Sequence, residues 1–199
     1  KVGDVMDDAL LVPGKCDGMG AFPGPDGTTI LVRNHELIPD WTPIGPFGRD
    51  FERLGRIDPA RLYDPGLAGA HARLGGTSTL VYDTRTRQLK KQFMSLAGTS
   101  YNCAGGITPW GTWLTCEETV DRAGEGGNAK DHGYVFEVPA SPDMSLAEPR
   151  PIRAMGRFMH EAACVDPRTG IVYQTEDRPD SCLYRFLPDR PGDLHAGGR

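Results

Sequence analysis

The chain lacks an apolar run of membrane-spanning length, an excess of basic residues, a C-x-x-C pair and any common nucleophile or phosphate-loop motif. Each absence removes a class. A helical span needs roughly 20 consecutive apolar residues, so none is predicted. Lys and Arg number 22 against 27 Asp and Glu, a formal charge of -5. That balance offers no footprint for a nucleic-acid backbone, and nucleic acid is not an expected partner. G-x-S-x-G, the P-loop and H-E-x-x-H are missing, which argues against a serine-elbow hydrolase, an NTPase and a zincin. His160-Glu161-Ala162-Ala163-Cys164 starts like a zincin helix but has no second His. The five cysteines are odd in number, so at least one is a free thiol or a ligand. Cys116, Cys164 and Cys182 sit in apolar strand patterns and read as small buried hydrophobes, whereas Cys103 stands between polar Asn102 and small residues.

Glycine and proline are plentiful, at 26 and 17, and fall at turns between short apolar runs. That is the composition of an all-β chain, and 199 residues suffice for one well-cored domain. A segment occurs twice. Asn102 to Pro109, a turn at Trp110-Gly111 and Thr112 to Glu118 line up with His160 to Pro167, a turn ending at Gly170 and Ile171 to Asp177. Each copy reads as a strand, a Pro/Gly turn and a second strand, with metal-ligand side chains opening the first and closing the second. A weaker third copy runs from Asp17 to Gly24 and from Ile30 to Glu36, with the register of Glu36 against Glu117 or Glu118 left open by a longer turn.

Further β runs follow each copy: Ser78 to Asp83, Gly133 to Pro139 and Ser181 to Pro188, with fourth-strand candidates at Leu89 to Leu96 and Pro151 to Met155. Strands recurring in a fixed order predict β-propeller blades. Between the first two copies, residues 37–75 form a Pro/Gly-rich insertion whose only helical patch is Pro65 to Leu74, and a lid or an interface is the expectation for it. About three blades do not close a ring, so residues 1–199 are read as a partial propeller, the alternative being a small β-sandwich.

Blade geometry brings the marked strand ends to one face. Cys103, Glu117 or Glu118, Glu161, Glu176 or Asp177, with Glu36 and Asp17, would meet there. Crowded carboxylates raise one another's pKa values, and cations are the natural compensation. Carboxylates alone suit calcium, magnesium or manganese, while a thiolate among them favours a transition metal. Such a centre suits phosphoester hydrolysis. Adjacent strand residues face opposite ways, so one of Glu117 and Glu118 is expected at the centre. His35 and His160 are open between ligands and neighbouring polar groups. Trp110 and Trp113 read as packing residues, and His71, His132 and His195 as surface.

The motifs Asp17 to Phe22, Arg33-Asn34-His35-Glu36, Gly75 to Asp83, Asn102 to Gly106 with Thr108 to Glu118, and Gly156 to Ala162 resemble the PhoX-type alkaline phosphatases over nearly the whole chain. The resemblance implies a six-bladed β-propeller and monoester hydrolysis by a cluster of Fe3+ and Ca2+. It also implies a monomer exported by the twin-arginine route to the periplasm or beyond. It places the iron-ligating cysteine at Cys103 and bridging glutamates at Glu118 and Glu161, with Glu117 as the alternative. It extends the ligand set to Glu36, Glu176 and Asp177, and puts Asn102, Asn34, His35, His160 and Asp17 around the ligands or phosphate. No catalytic residue beyond the metal ligands is implied. The family's chain is longer, and its later part supplies further ligands and a phosphate-binding arginine. A calcium-stabilised binding propeller and a calcium-dependent lactone or ester hydrolase are the competing functions.

Overall fold

Turn chemistry divides the chain into three antiparallel meanders. In the computed structural model, which describes residues 1–199, the first sheet runs β1 (Cys16–Pro23), β2 (Thr28–His35), β3 (Gly75–Asp83) and β4 (Gln88–Thr99). The second is β5 (Asn102–Ile107), β6 (Thr112–Glu117) and β7 (Val135–Pro139). The third is β8 (His160–Val165), β9 (Val172–Glu176) and β10 (Leu183–Phe186). Everything else regular is six three-residue 3-10 turns, so the chain is all-β. The β8–β9 turn shows why the strands reverse there. Asp166 accepts from Arg168 N and Thr169 Oγ1, and Gly170 takes φ 73°, a left-handed conformation that costs glycine little.

Alternation along β6 decides what each sheet faces. Trp113 packs with Phe22, Ile30, Val32 and Leu96 of the first sheet, while Leu114 and Cys116 pack with Ala163, Val165, Val172 and Phe186 of the third. Both faces of the second sheet are thus covered, which its near-continuous apolar run requires. The inner strands β1, β5 and β8 lie side by side at backbone contact. A Cβ on Gly18 would meet Ala104 Cα at 2.7 Å, and one on Gly106 would meet Ala163 O at 1.9 Å.

The far face of the first sheet is closed by residues 37–74 together with the N-terminal segment. Leu37, Phe47, Ile57, Leu62, Ala72 and Leu74 join Met6, Leu10, Val12, Met94 and Ala97 in one buried cluster. Rather than a free lid, the insertion is a packed layer, because its apolar residues bury against β4 and the N-terminal segment. No helix forms over residues 65–74, where Gly66 and Gly69 both take positive φ. Asp7 and Asp8 finish the layer by accepting from the edge amides Gln92 N and Met94 N at 2.7 Å each.

Two local expectations change. The run Pro151 to Met155 makes an isolated bridge to Phe136 and then a 3-10 turn, since Pro151 has no amide to donate and Gly156 turns the chain at φ 91°. Cys164 and Cys182 are exposed: Cys164 points away from the inward-facing Ala163 and Val165, and Cys182 precedes β10. Cys116 is buried as expected, and Cys16 is exposed.

The contact between β5 and β8 has a measurable cost if widened. Gly106→Ala should lower stability by about 1–3 kcal/mol in denaturant unfolding, the usual range for forced overpacking. A melt unchanged from the parent would show that the inner strands do not depend on this approach.

Candidate metal centre

One irregularity recurs at the same end of all three meanders. The pairs Cys16↔His35, Asn102↔Glu117 and His160↔Glu176 each open a hairpin. Pairing then resumes at Met19↔Arg33, Gly105↔Thr115 and Ala163↔Gln174. In each case two residues oppose one, a β-bulge. The bulges carry Asp17-Gly18, Cys103-Ala104 and Glu161-Ala162, so Asp17, Cys103 and Glu161 are equivalent. The sequence alignment, which set Asp17 against Asn102 and His160, is therefore one residue out of register. The residues just past the second strands are equivalent too. Glu36 N donates to Lys15 O at 2.9 Å, Glu118 N to Tyr101 O at 2.9 Å and Asp177 N to Met159 O at 3.0 Å. Each meander thus contributes one residue from a bulge and one from a strand end.

These six side chains approach one another. Cys103 Sγ, Glu118 and Glu161 offer donor atoms all within 4.8 Å, with Cys103 Sγ 3.4 Å from Glu161 Oε2. Glu118 lies within hydrogen-bond reach of the Asp177 and Glu36 carboxylates, and the charge of Asp17 reaches Glu36. Burial, then Asp177, Glu161 and Glu36, push the Glu118 carboxyl up to about 7. Burial and then Asp17 raise Glu36, and burial and then Glu161 hold the Cys103 thiol far above its ordinary range. A cation bound among such acids would favour their ionised forms. The spacing fits one as well, because two ligands about 2.0–2.5 Å from a shared ion lie roughly 3–4.5 Å apart. The donor set, one thiol among carboxylates, suits the pairing of a transition metal with calcium.

The other predicted site residues occupy different places. Glu117 faces the first sheet and is fully buried, accepting from Ser100 N, Gly133 N, Tyr134 N and His132 Nδ1. Alternation on β6 thus leaves Glu118 beside Cys103 and turns Glu117 away. Glu176 accepts from Tyr184 Oη at 2.9 Å. Asn34 donates to Cys103 O and Ala104 O and accepts from Trp113 Nε1, holding the β5 bulge in shape. Asn102 bonds Thr99 and Thr115. Burial drives His35 down to about 3, and its neutral ring bonds Gly14 O and Ser78 Oγ. His160 is driven by burial to about 4 and stacks on Phe158 at 3.6 Å.

His132, read from sequence as a surface residue, is the largest correction. Its ring is fully buried between Glu117 Oε1 at 2.7 Å and Asp64 Oδ2 at 3.0 Å. Asp64 also accepts from Gly66 N, Ala129 N and Lys130 N. The triad therefore clamps the insertion, the 120–132 loop and the end of β6 directly beside Glu118. No local pattern announces it, because its members lie far apart in sequence. Burial lowers the His132 pKa, but Glu117 and Asp64 outweigh burial and raise it to about 9. His71 stacks on Phe51 at 4.3 Å, and His195 lies 3.9 Å from Glu137. Trp110 packs on the core between the second and third sheets and donates to Glu137.

Because the folded value stands above the ordinary 6.5, the protonated ring stabilises the fold fully below about pH 6.5. That contribution, on the order of a few kcal/mol, is lost as pH rises through about 9. Chemical unfolding of the protein at pH 6 and at pH 10 should show it. His132→Gln should flatten the difference, and an equal drop in the variant would assign the loss to other groups.

Independent comparison with family models gives a match, over residues 67–198, to the family described as alkaline phosphatase PhoX. No curated protein and no solved structure matches the chain. The matched stretch holds Cys103, Glu118, Glu161 and Asp177, while Asp17 and Glu36 join the same centre from the hairpin before it. With the match covering about two thirds of its length, the chain belongs to the PhoX alkaline phosphatase family.

Proposed function

We propose that this chain is part of a metal-dependent phosphomonoesterase, with iron and calcium held by Cys103, Glu118 and Glu161 and by the outer carboxylates Asp17, Glu36 and Asp177. The observation that carries the reading is the threefold bulge, which delivers Asp17, Cys103 and Glu161 to the same end of the three meanders, where Cys103 and Glu161 meet Glu118 from a strand end. The three sheets are then consecutive propeller blades, with β1, β5 and β8 lining the axis. Family membership supports phosphate monoesters as substrates and export as the setting.

When bound, the metals supply the positive charge that polarises a phosphoryl oxygen and activates an oxygen nucleophile. The residues do the rest. Cys103 loses its proton only against a cation, since burial and Glu161 otherwise hold it on the sulfur. Glu118, with its raised proton affinity, likewise exchanges a proton for the metal. Asn34 fixes the carbonyls of the Cys103 bulge, so the sulfur points at Glu161 without further adjustment. Asp17 and Asp177 are exposed and Glu36 half-buried, which leaves an open side for a small anionic ester.

Elemental analysis with 4-nitrophenyl phosphate turnover tests the assignment. The metal-loaded protein should retain both metals and hydrolyse the ester. Cys103→Ser should lose iron, and Glu118→Gln or Glu161→Gln should cut turnover on the order of 100-fold, as removal of one preorganised electrostatic group does. Calcium without iron, and no hydrolysis, would leave a calcium-stabilised binding propeller instead. Lactone hydrolysis surviving Cys103→Ser would favour a calcium-centred esterase.

A further inference from the structure

Three arginines line one open pocket of about 380 Å³ at the edge of the third sheet. Arg157 precedes β8, Arg185 lies on β10, and Arg199 is held beside Leu187 by a backbone hydrogen bond in each direction. On a chain of formal charge -5, none of the three forms an ion pair with a carboxylate. Arg185 and Arg199 are exposed. Arg157 is half-buried and donates from one terminal nitrogen to Val120 O and Asp121 O, while its Nε is buried without an acceptor. Gln174, in the same lining, has the opposite deficit. Alternation along β9 turns it inward beside Val172, and it is 2% exposed. Its Nε2 donates to Met155 O at 3.3 Å, which fixes the amide and leaves Oε1 buried without a donor. Buried polar atoms are ordinarily paired, and an unpaired one is costly. One pocket thus holds a donor lacking an acceptor, an acceptor lacking a donor, and uncompensated positive charge. Water meets the first two needs but not the third, whereas a protonated oxyanion meets all of them.

We propose that this pocket is a binding site for free phosphate, held by Arg157, Arg185 and Arg199 and selected by Gln174. None of the six residues of the metal centre lines it, and the site does not depend on that centre hydrolysing esters. Guanidinium groups match oxyanions through paired N–H donors, a recognition that phosphate, sulfate and phosphate esters all share. Gln174 separates them. Its free Oε1 can only accept, so it favours an oxyanion that still carries a proton. In mildly alkaline solution hydrogen phosphate keeps a P–O–H and sulfate has none. A phosphomonoester has by then given up its second proton, whose pKa is about 6. A site that hydrogen-bonds a hydroxyl rejects an analogue lacking it, because its own polar group is then left unpaired. The pocket is wider than the ion, and ordered water fills the remainder.

Calorimetric titration of the metal-loaded protein at pH 8.5 with inorganic phosphate, sulfate and methylphosphonate tests the assignment. Methylphosphonate stands in for an ester, because it is not hydrolysed and is largely unprotonated at that pH. Any affinity of the metal centre for these anions is common to parent and variants, so the site is read as what the variants remove. Phosphate should occupy a site that Arg185→Ala or Arg199→Ala, each an exposed side chain, weakens about tenfold through loss of a charge-assisted hydrogen bond. At that site phosphate should bind about tenfold more tightly than sulfate or methylphosphonate, the worth of one further hydrogen bond. Gln174→Met, which keeps the volume and removes the acceptor, should erase that preference. A parent that binds no phosphate, or arginine variants that titrate as the parent does, overturn the site. Sulfate or methylphosphonate bound as tightly as phosphate, or a preference that survives Gln174→Met, overturns its assignment to free phosphate.

Discussion

Everything at the centre depends on one extra residue per hairpin. In a regular antiparallel pair, Cys103, Asp17 and Glu161 would each face a single partner across the ladder, and their side chains would project to one side of a sheet. The bulge breaks that pairing locally and re-aims the side chain. Doing so leaves backbone carbonyls without ladder partners, and the structure supplies replacements: Asn34 Nδ2 takes Cys103 O and Ala104 O. In the third meander, Thr175 Oγ1 accepts from the bulge amide Ala162 N. The cost of the irregular backbone is thus met by side chains of the hairpins themselves, and the re-aimed residues stay free for a ligand.

A second constraint is electrostatic. The end of β6 holds two consecutive glutamates, and the pleat sends them to opposite sides. Glu118 joins a group of acids that disfavour ionisation, while Glu117 receives three amide donors and a protonated imidazole. One carboxylate is compensated by the protein and its neighbour is reserved for something the protein does not contain. The same division holds in the third meander, where Glu176 is satisfied by Tyr184 and Asp177 reaches Glu118. Compensation of the inner acid fixes the strand end from which the outer acid projects.

Much of this was legible in the order of residues. Strand-turn-strand repeats ending in acids announced the meanders, and the Cys103 and Glu161 copies announced the centre. The equivalence of Asp17 with Cys103 was not, because a bulge is invisible in a pattern read with strict period two and shifts an alignment by one. Nor was the role of His132, whose partners Asp64 and Glu117 come from an irregular insertion and from a strand end. Long-range polar clamps of that kind leave no local periodicity. The insertion itself read as a loop since its apolar residues follow neither helical nor strand spacing, yet they bury as fully as those of any strand.

The edge of the first sheet has a consequence for assembly. β4 is its last strand, twelve residues long, and a strand of that length with free amides would template the addition of a foreign chain. Asp7 and Asp8 occupy the amides of Gln92 and Met94, Asp7 N takes the carbonyl of Gln92, and the strand's far end meets Leu62 in a short parallel bridge. Two neighbouring carboxylates therefore act as a stopper on polymerisation, occupying the amides that a docking strand would need.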